Sequence, residues 1–396
     1  MSPLDTNATG SSLFDAIRRI EPVIREHAAE AERERHLPDA VAEAMRACGL
    51  YRLFRPKAFG GLELDPITAF RAFEEVARID SAASWNLTLA NSVDAFGAWF
   101  GDEGGREIFG HPDTILAGSF FPPRRAVPVD GGYRLTGRTP FVSGAHQAKW
   151  IMGLANIFDD DAIRKYPDGS PMTLMTVCPA DRAEILDTWR TLGMRGTGSH
   201  DVAMNEVFIP SRHTAVLAPY EKPGAAYQGP LYKLTAWAAI SVLGCVPLGI
   251  ARAAIDDLLE LAAKKAPSYT ATALRDRTTV QFSLGQAEAT LGAARAYFYE
   301  ALREVWEKAL EGHMIDMPGK MKVQLAATHA AATAAQAVDL VHATAGTTGI
   351  RDEHRFQRYF RDVHTITQHG FISASRYESG GQFLLGVPIE WPFYGL

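Results

Sequence analysis

The chain has 396 residues, nearly half of them hydrophobic, with 40 basic and 46 acidic side chains and a formal net charge of -6. That length exceeds one ordinary core and predicts about two or three folding units. The mixed, mildly acidic balance offers no basic stripe for nucleic acid, so a small organic molecule is the expected partner. Three widely separated cysteines, Cys48, Cys178 and Cys245, form neither a disulfide framework nor a metal-ligand pattern, which fits a reducing cytoplasm.

Residues 1–12 are small and polar, without the basic-then-apolar pattern of a secretion signal. Leu13, Ile17, Ile20 and Ile24 then recur at helical spacing behind the possible cap Ser12. Pro38 and Gly49 bracket a second helix, and Asp65-Pro66 starts a third with Phe70, Phe73, Val76 and Ala77 on its buried side. After Pro112 the texture changes to short apolar or alternating runs at 116–119, 133–136, 141–143, 150–152 and 172–178, with Asp130-Gly-Gly132 as a hairpin turn. The β region ends at Ile209-Pro210, and 218–230 reads as a connector.

From Tyr232 the chain is helical again. The apolar run 234–255 is long enough to raise a membrane span, but Gly244, Pro247 and Gly249 interrupt it, so a buried helix, or two joined at Pro247, is expected and no membrane partner. Val280, Leu284, Ala287, Leu291, Ala294, Phe298, Leu302 and Val305 fall on one face of a bundle helix, and an Ala-rich helix follows at 321–344. Arg361 to Gly370 is expected to be the last folded turn. The predicted architecture is α+β: an N-terminal helical domain (1–112), a central β domain (113–217), and a linker with a C-terminal helical bundle (218–396).

This order, with the stretches Asp130-Gly-Gly-Tyr-Arg-Leu-Thr-Gly137, Phe141-Val-Ser-Gly144, Gly193-Met-Arg-Gly-Thr-Gly-Ser-His-Asp-Val202, Ala345-Gly-Thr347 and Arg361-Asp362 before His369, resembles the acyl-CoA dehydrogenase fold. The resemblance is closer to its branch of two-component, reduced-flavin-dependent monooxygenases. It implies a central β-barrel and a C-terminal four-helix bundle. It also implies reduced FMN or FAD supplied by a separate NAD(P)H:flavin reductase, O2 as co-substrate, oxygen transfer through a C4a-(hydro)peroxyflavin to an aromatic, heteroaromatic or related apolar molecule, and a homotetramer. Dehydrogenases of this fold carry a glutamate base a few residues after the Arg-Asp pair; here that position is Gly370, with His369 beside it. The alternative is an acyl-CoA dehydrogenase with FAD and an unconventional base.

By the same resemblance, His369 donates a proton to the developing peroxide and Ser143 contacts flavin N5, with Phe141 and Val142 along the ring. Arg195, Thr197 and Ser199 lie among glycines, where side-chain donors can point at phosphate oxygens, or where the loop is a mere turn. Trp189 packs on the ring system or in the core; Ser119 and Arg277 are further flavin candidates. Trp85, Phe120, Tyr232 and Trp237, with Asn86, Asn91, Phe96 and Phe121, are the candidate substrate lining. No histidine falls between Trp85 and Asp94, where phenol hydroxylases of the branch often place one. The remaining histidines show no metal spacing.

Overall fold

The structure, a computed structural model, describes residues 10–217, 223–266 and 272–395. Its first layer is helical: α1 (Gly10–Glu26), α2 (Ala28–Glu34), α3 (Asp39–Ala47), α4 (Pro66–Ile79), α5 (Ser81–Ala95) and α6 (Asp102–Phe109). Leu13, Ile17, Ile20 and Ile24 are buried as their spacing requires, although α1 begins at Gly10 and Ser12 lies inside it. Asp65 caps α4 by accepting the Thr68 N–H at 2.9 Å, with Pro66 at the first helical position, where its missing N–H is no loss. Asp80 caps α5 in the same way through the Ala83 N–H at 2.9 Å. Helix α5 is buried around almost its whole circumference, so it runs through the middle of the molecule and has no solvent-facing stripe.

The central layer is one nine-stranded sheet: β1 (Leu116–Gly118), β2 (Arg124–Val129), β3 (Gly132–Val142), β4 (Trp150–Asp159), β5 (Ala162–Ile163), β6 (Thr173–Pro179), β7 (Glu184–Leu186), β8 (His200–Pro210) and β9 (Thr214–Val216). The hydrogen-bonded path is β7-β8-β3-β2-β4-β6-β9, with β1 and β5 added on β4. The expected barrel is therefore realised as a sheet whose end strands, β7 and β9, are not paired with each other among the described residues. The β2–β3 hairpin closes at Val129↔Gly132, and Gly131 takes the left-handed φ of +73° that the turn needs. Along β3 and β8 the register shifts between Thr139 and Val142, and Phe141 sits there at φ +63°. That irregularity turns Phe141 outward, 62% exposed, while Val142 on the next residue is buried.

The third layer comprises α7 (Trp237–Ser241), α8 (Cys245–Lys264), α9 (Thr278–Leu310), α10 (Met317–Ala345), α11 (Phe356–Ile366) and α12 (Ser375–Leu385). The apolar run is divided at residues 242–244 by a 3-10 turn, not at Pro247, which lies in the first turn of α8 and disrupts nothing there. Its most hydrophobic window is 94% buried inside the protein, which makes it a core helix. Helices α8, α9, α10 and α11 pack as the expected four-helix bundle, and α4 lies against α8. At Gly249 a Cβ would stand 2.3 Å from the Glu74 carbonyl, so only glycine permits that close approach. Of the expected connector, residues 218–222 lie outside the described residues. The stretch Arg361 to Gly370 is not the last folded turn: α12 follows it, and the aromatic segment 391–394 folds back beside it.

Candidate active site

Three segments meet around Trp85 on α5. Its indole N–H donates to Ser143 Oγ at 3.2 Å, and its ring meets that of His369 edge-on, with centroids 5.3 Å apart. The two residues assigned chemistry from the sequence, Ser143 and His369, are thus brought to the same side chain, itself one of the expected substrate-lining residues.

His369 follows α11 and is half-buried. Its Nδ1 accepts the backbone N–H of Phe371 at 3.3 Å, so the neutral ring carries its proton on Nε2. Burial pushes its pKa down to about 4. At neutral pH the ring is therefore uncharged and its donor is Nε2–H. Gly370 adds no acid-base group, and a Cβ there would meet open space.

Ser143 is the head of a buried hydroxyl chain. Its Oγ lies 2.6 Å from Ser199 Oγ, which lies 2.6 Å from Thr197 Oγ1, which donates to the Met194 carbonyl at 2.8 Å. Trp189 Nε1–H donates to the same carbonyl at 2.9 Å, and its ring meets exposed Phe141 edge-on at 6.1 Å. His200 Nδ1 holds the Trp189 segment by accepting the N–H groups of Thr188 and Trp189, each at 3.2 Å, a structural role. Thr197 and Ser199 are therefore not presented to a phosphate as the glycine-rich sequence suggested, because their hydroxyls are turned inward to one another and to Ser143. Arg195 differs from them: it is half-buried and its Nε has no hydrogen-bond partner.

The loop carrying these groups is clamped by the Arg361-Asp362 pair of α11. Buried Asp362 accepts the Met194 N–H at 2.6 Å through one oxygen and the Ser81 hydroxyl through the other. Arg361 donates to the Leu192 carbonyl at 2.6 Å and pairs with Glu32 at 2.8 Å. At Gly193 a Cβ would stand 2.2 Å from the Arg361 carbonyl, so the loop can lie on α11 only as glycine. Burial, and next the charge of Glu32, raise the Asp362 pKa to about 6.

The other sequence candidates separate cleanly. Phe120 packs edge-on against Phe96 at 4.9 Å and near Phe393 at 6.5 Å, and half-buried Ser119 lies between it and the end of β1. Tyr232 is core: its hydroxyl donates to the buried Phe54 carbonyl at 3.0 Å. Trp237 is also core, stacked at 5.0 Å on Tyr394. Asn91 staples α5 to the preceding loop by accepting the Leu53 N–H at 2.7 Å and donating to the Leu50 carbonyl at 3.0 Å, so it lines no pocket. Asn86 is buried with both amide atoms unpartnered. Arg277 is an exposed residue preceding α9, and no hydrogen bond or ion pair joins it to Ser143, Arg195 or His369. The described residues hold no cluster of three or more metal-ligating side chains.

The sequence reading missed the aromatic return of the chain. Phe371 meets His369 at 5.5 Å, Trp391 at 5.3 Å and Phe393 at 4.8 Å, and Phe393 meets exposed Phe121 at 5.7 Å. Arg376 lies 4.4 Å over the Trp391 ring. Three aromatics within four residues, Trp391, Phe393 and Tyr394, were the signal available in the sequence.

These residues fit a reduced flavin. Phe141 offers an exposed aromatic face, Ser143 a lone pair, and Arg195 an unpartnered donor, which suits a planar ring carrying N–H groups and a phosphate.

The acyl-CoA dehydrogenase N-terminal domain matches residues 12–104 and its C-terminal domain residues 241–374. The indole-3-acetate monooxygenase of Pseudomonas putida is 34% identical over 97% of this chain and 95% of its own length. The oxygenase component of p-hydroxyphenylacetate 3-hydroxylase from Acinetobacter baumannii is 27% identical over 92% of this chain and 86% of its own. The structure of XiaF from a Streptomyces species, in complex with FADH2 and glycerol, superposes with a TM-score of 0.89 at 27% identity, covering 97% of both chains. With dehydrogenase domains at both ends, a monooxygenase relative along nearly its whole length and Gly370 where a dehydrogenase base would stand, the chain belongs to the acyl-CoA dehydrogenase family, in its flavin-dependent monooxygenase branch.

Proposed function

We propose that this protein oxygenates an aromatic or heteroaromatic small molecule of about indole size, held between Trp85, Phe120, Phe371 and Phe393 with His369 at its reacting edge. The observation that carries the reading is the pairing of His369 with Trp85 and Phe371, which gives an uncharged Nε2–H donor inside an aromatic enclosure. Reduced flavin, when bound, supplies the activation of O2. The protein then has three tasks. Phe141 and Trp189 would hold the flavin ring, and Ser143 would accept from its N5–H. His369 donates through Nε2 where negative charge develops on oxygen, remaining neutral between turnovers. The segment 391–394 keeps water from that side of His369.

Nothing at Gly370 can abstract a substrate α-proton, which disfavours acyl-CoA dehydrogenation. The description of a relative as an oxygenase component supports a separate flavin reductase as partner. A homotetramer is supported by large apolar residues left exposed on α9 and α12, Phe282, Leu384 and Leu385. Three buried cysteines, none of them in a disulfide, are compatible with the cytoplasm.

The test supplies dithionite-reduced FMN or FAD and 18O2 with indole, indole-3-acetate and 4-hydroxyphenylacetate in turn. One labelled oxygen atom in an aromatic product is expected. Reoxidation of bound flavin with no labelled product from any of the three would overturn the reading.

A further inference from the structure

We propose that Ser199 and Thr197 fix the polarity of the Ser143 hydroxyl, so that the site selects reduced flavin over oxidised flavin, given the reading above that Ser143 faces flavin N5. A hydroxyl has one proton to donate. Thr197 donates its proton to the Met194 carbonyl at 2.8 Å, so toward Ser199 it can only accept. The proton of Ser199 is then committed to Thr197, and the 2.6 Å contact between Ser199 and Ser143 must be made by the proton of Ser143. Trp85 Nε1–H donates into Ser143 at 3.2 Å. Ser143 is left with no proton to offer and one lone pair.

The two redox states of flavin differ at the atom this lone pair would meet. N5 of the dihydro form carries a proton, whereas N5 of the oxidised form carries a lone pair. Ser143 therefore attracts the first and repels the second. Ser143, Ser199 and Thr197 are all buried, so no bulk water reverses the chain.

Reversal would require Thr197 to give up the Met194 carbonyl, which keeps its bond from Trp189 at 2.9 Å. The preference is thus graded: it is set by one buried hydrogen bond, worth roughly five- to tenfold in the ratio of dissociation constants. Such a bias favours entry of the reductase's product and departure of the spent cofactor without any moving part. Ser199 and Thr197 are positioning residues, acting on flavin through Ser143.

Anaerobic titration of FMN and FAD, each oxidised and dithionite-reduced, would measure the ratio of the oxidised to the reduced dissociation constant. Ser199→Ala frees the Ser143 proton, and Thr197→Val turns the Ser199 proton back toward Ser143. In both variants the ratio should fall about fivefold or more, chiefly through tighter binding of oxidised flavin. Thr197→Ser keeps the chain and should keep the wild-type ratio. Thr197→Val conserves shape, so it guards against loss of folding in Ser199→Ala. If both variants keep the ratio within about twofold while Ser143→Ala changes it, the polarity inference falls and the role of Ser143 stands. If Ser143→Ala also leaves both constants unchanged, Ser143 does not face the flavin and the underlying reading falls.

Discussion

Trp85 and His369 meet edge to face, 5.3 Å between ring centroids and 72° between planes, while the indole N–H of the same Trp85 is bonded to Ser143. One side chain of the N-terminal helical domain therefore joins the hydroxyl chain of the β domain to the imidazole that follows the bundle helix α11. The site is assembled from all three layers, so a change in any one of them is expected to be felt at the other two.

His369→Ala removes the neutral Nε2–H donor placed in the aromatic enclosure beside Trp85. Oxygenated product per flavin oxidised should fall by about 10²-fold, with hydrogen peroxide released instead. His369→Gln, whose amide N–H reaches near the former Nε2, should retain part of the coupling. Product and peroxide assayed in the same reaction check this, and unchanged coupling in the alanine variant would remove His369 from the chemistry.

The depressed pKa of His369 has a pH signature. Its folded pKa, about 4, lies below the unfolded value of about 6.5, so between these values the unfolded chain binds the extra proton. Its contribution to stability is complete above pH 6.5 or so and is lost as pH falls toward 4. His146 is pushed down to about 4 by burial and then by the nearby charge of His36, and it acts in the same window with the same sign. Thermal melts from pH 7.5 to 4.5 should show a falling midpoint, with a shallower slope in His369→Ala. Coupling of the wild-type enzyme should show no titration attributable to His369 between about pH 6 and 9.

Asp362→Ala leaves the buried Met194 N–H without an acceptor and releases the loop that carries the hydroxyl chain. A loss of about 2 kcal/mol in stability and a rise in the flavin dissociation constant are expected. Asp362→Asn keeps one carbonyl oxygen for Met194 and should lose much less. Denaturant melts and flavin titration of the two variants side by side would show the contrast.

Trp391→Ala strips one wall from Phe371 and removes the ring beneath Arg376. The substrate KM should rise about tenfold, with more peroxide formed as water reaches His369, while flavin affinity changes little. Equal losses in flavin and substrate binding would instead mark Trp391 as general scaffolding.

Much of the fold was legible because it is encoded locally. The apolar stripe of α1, the Asp65-Pro66 start of α4, the Asp130-Gly-Gly132 turn and the long face of α9 follow from spacing and capping alone, and all stand where expected. Failures arose where the deciding partner is distant. Thr197 and Ser199 resemble anion-binding donors in a glycine-rich loop, yet Ser143, 56 residues before Ser199, draws their hydroxyls inward. Tyr232 and Asn91 resemble pocket linings, yet each is held by backbone from the loop before α4: the hydroxyl bonds the Phe54 carbonyl, and the amide bonds Leu50 and Leu53.

By itself, the sequence determined the three-layer order, the flavin family and the juxtaposition of His369 with Gly370, since each is written in neighbouring residues. Only the tertiary structure decided that Trp85 links Ser143 to His369, that the hydroxyl chain runs toward Met194, that the imidazole is neutral, and that segment 391–394 returns to Phe371. The physical reason is that proton direction, desolvation and aromatic enclosure depend on which groups surround an atom in space, and residues far apart along the chain supply those groups.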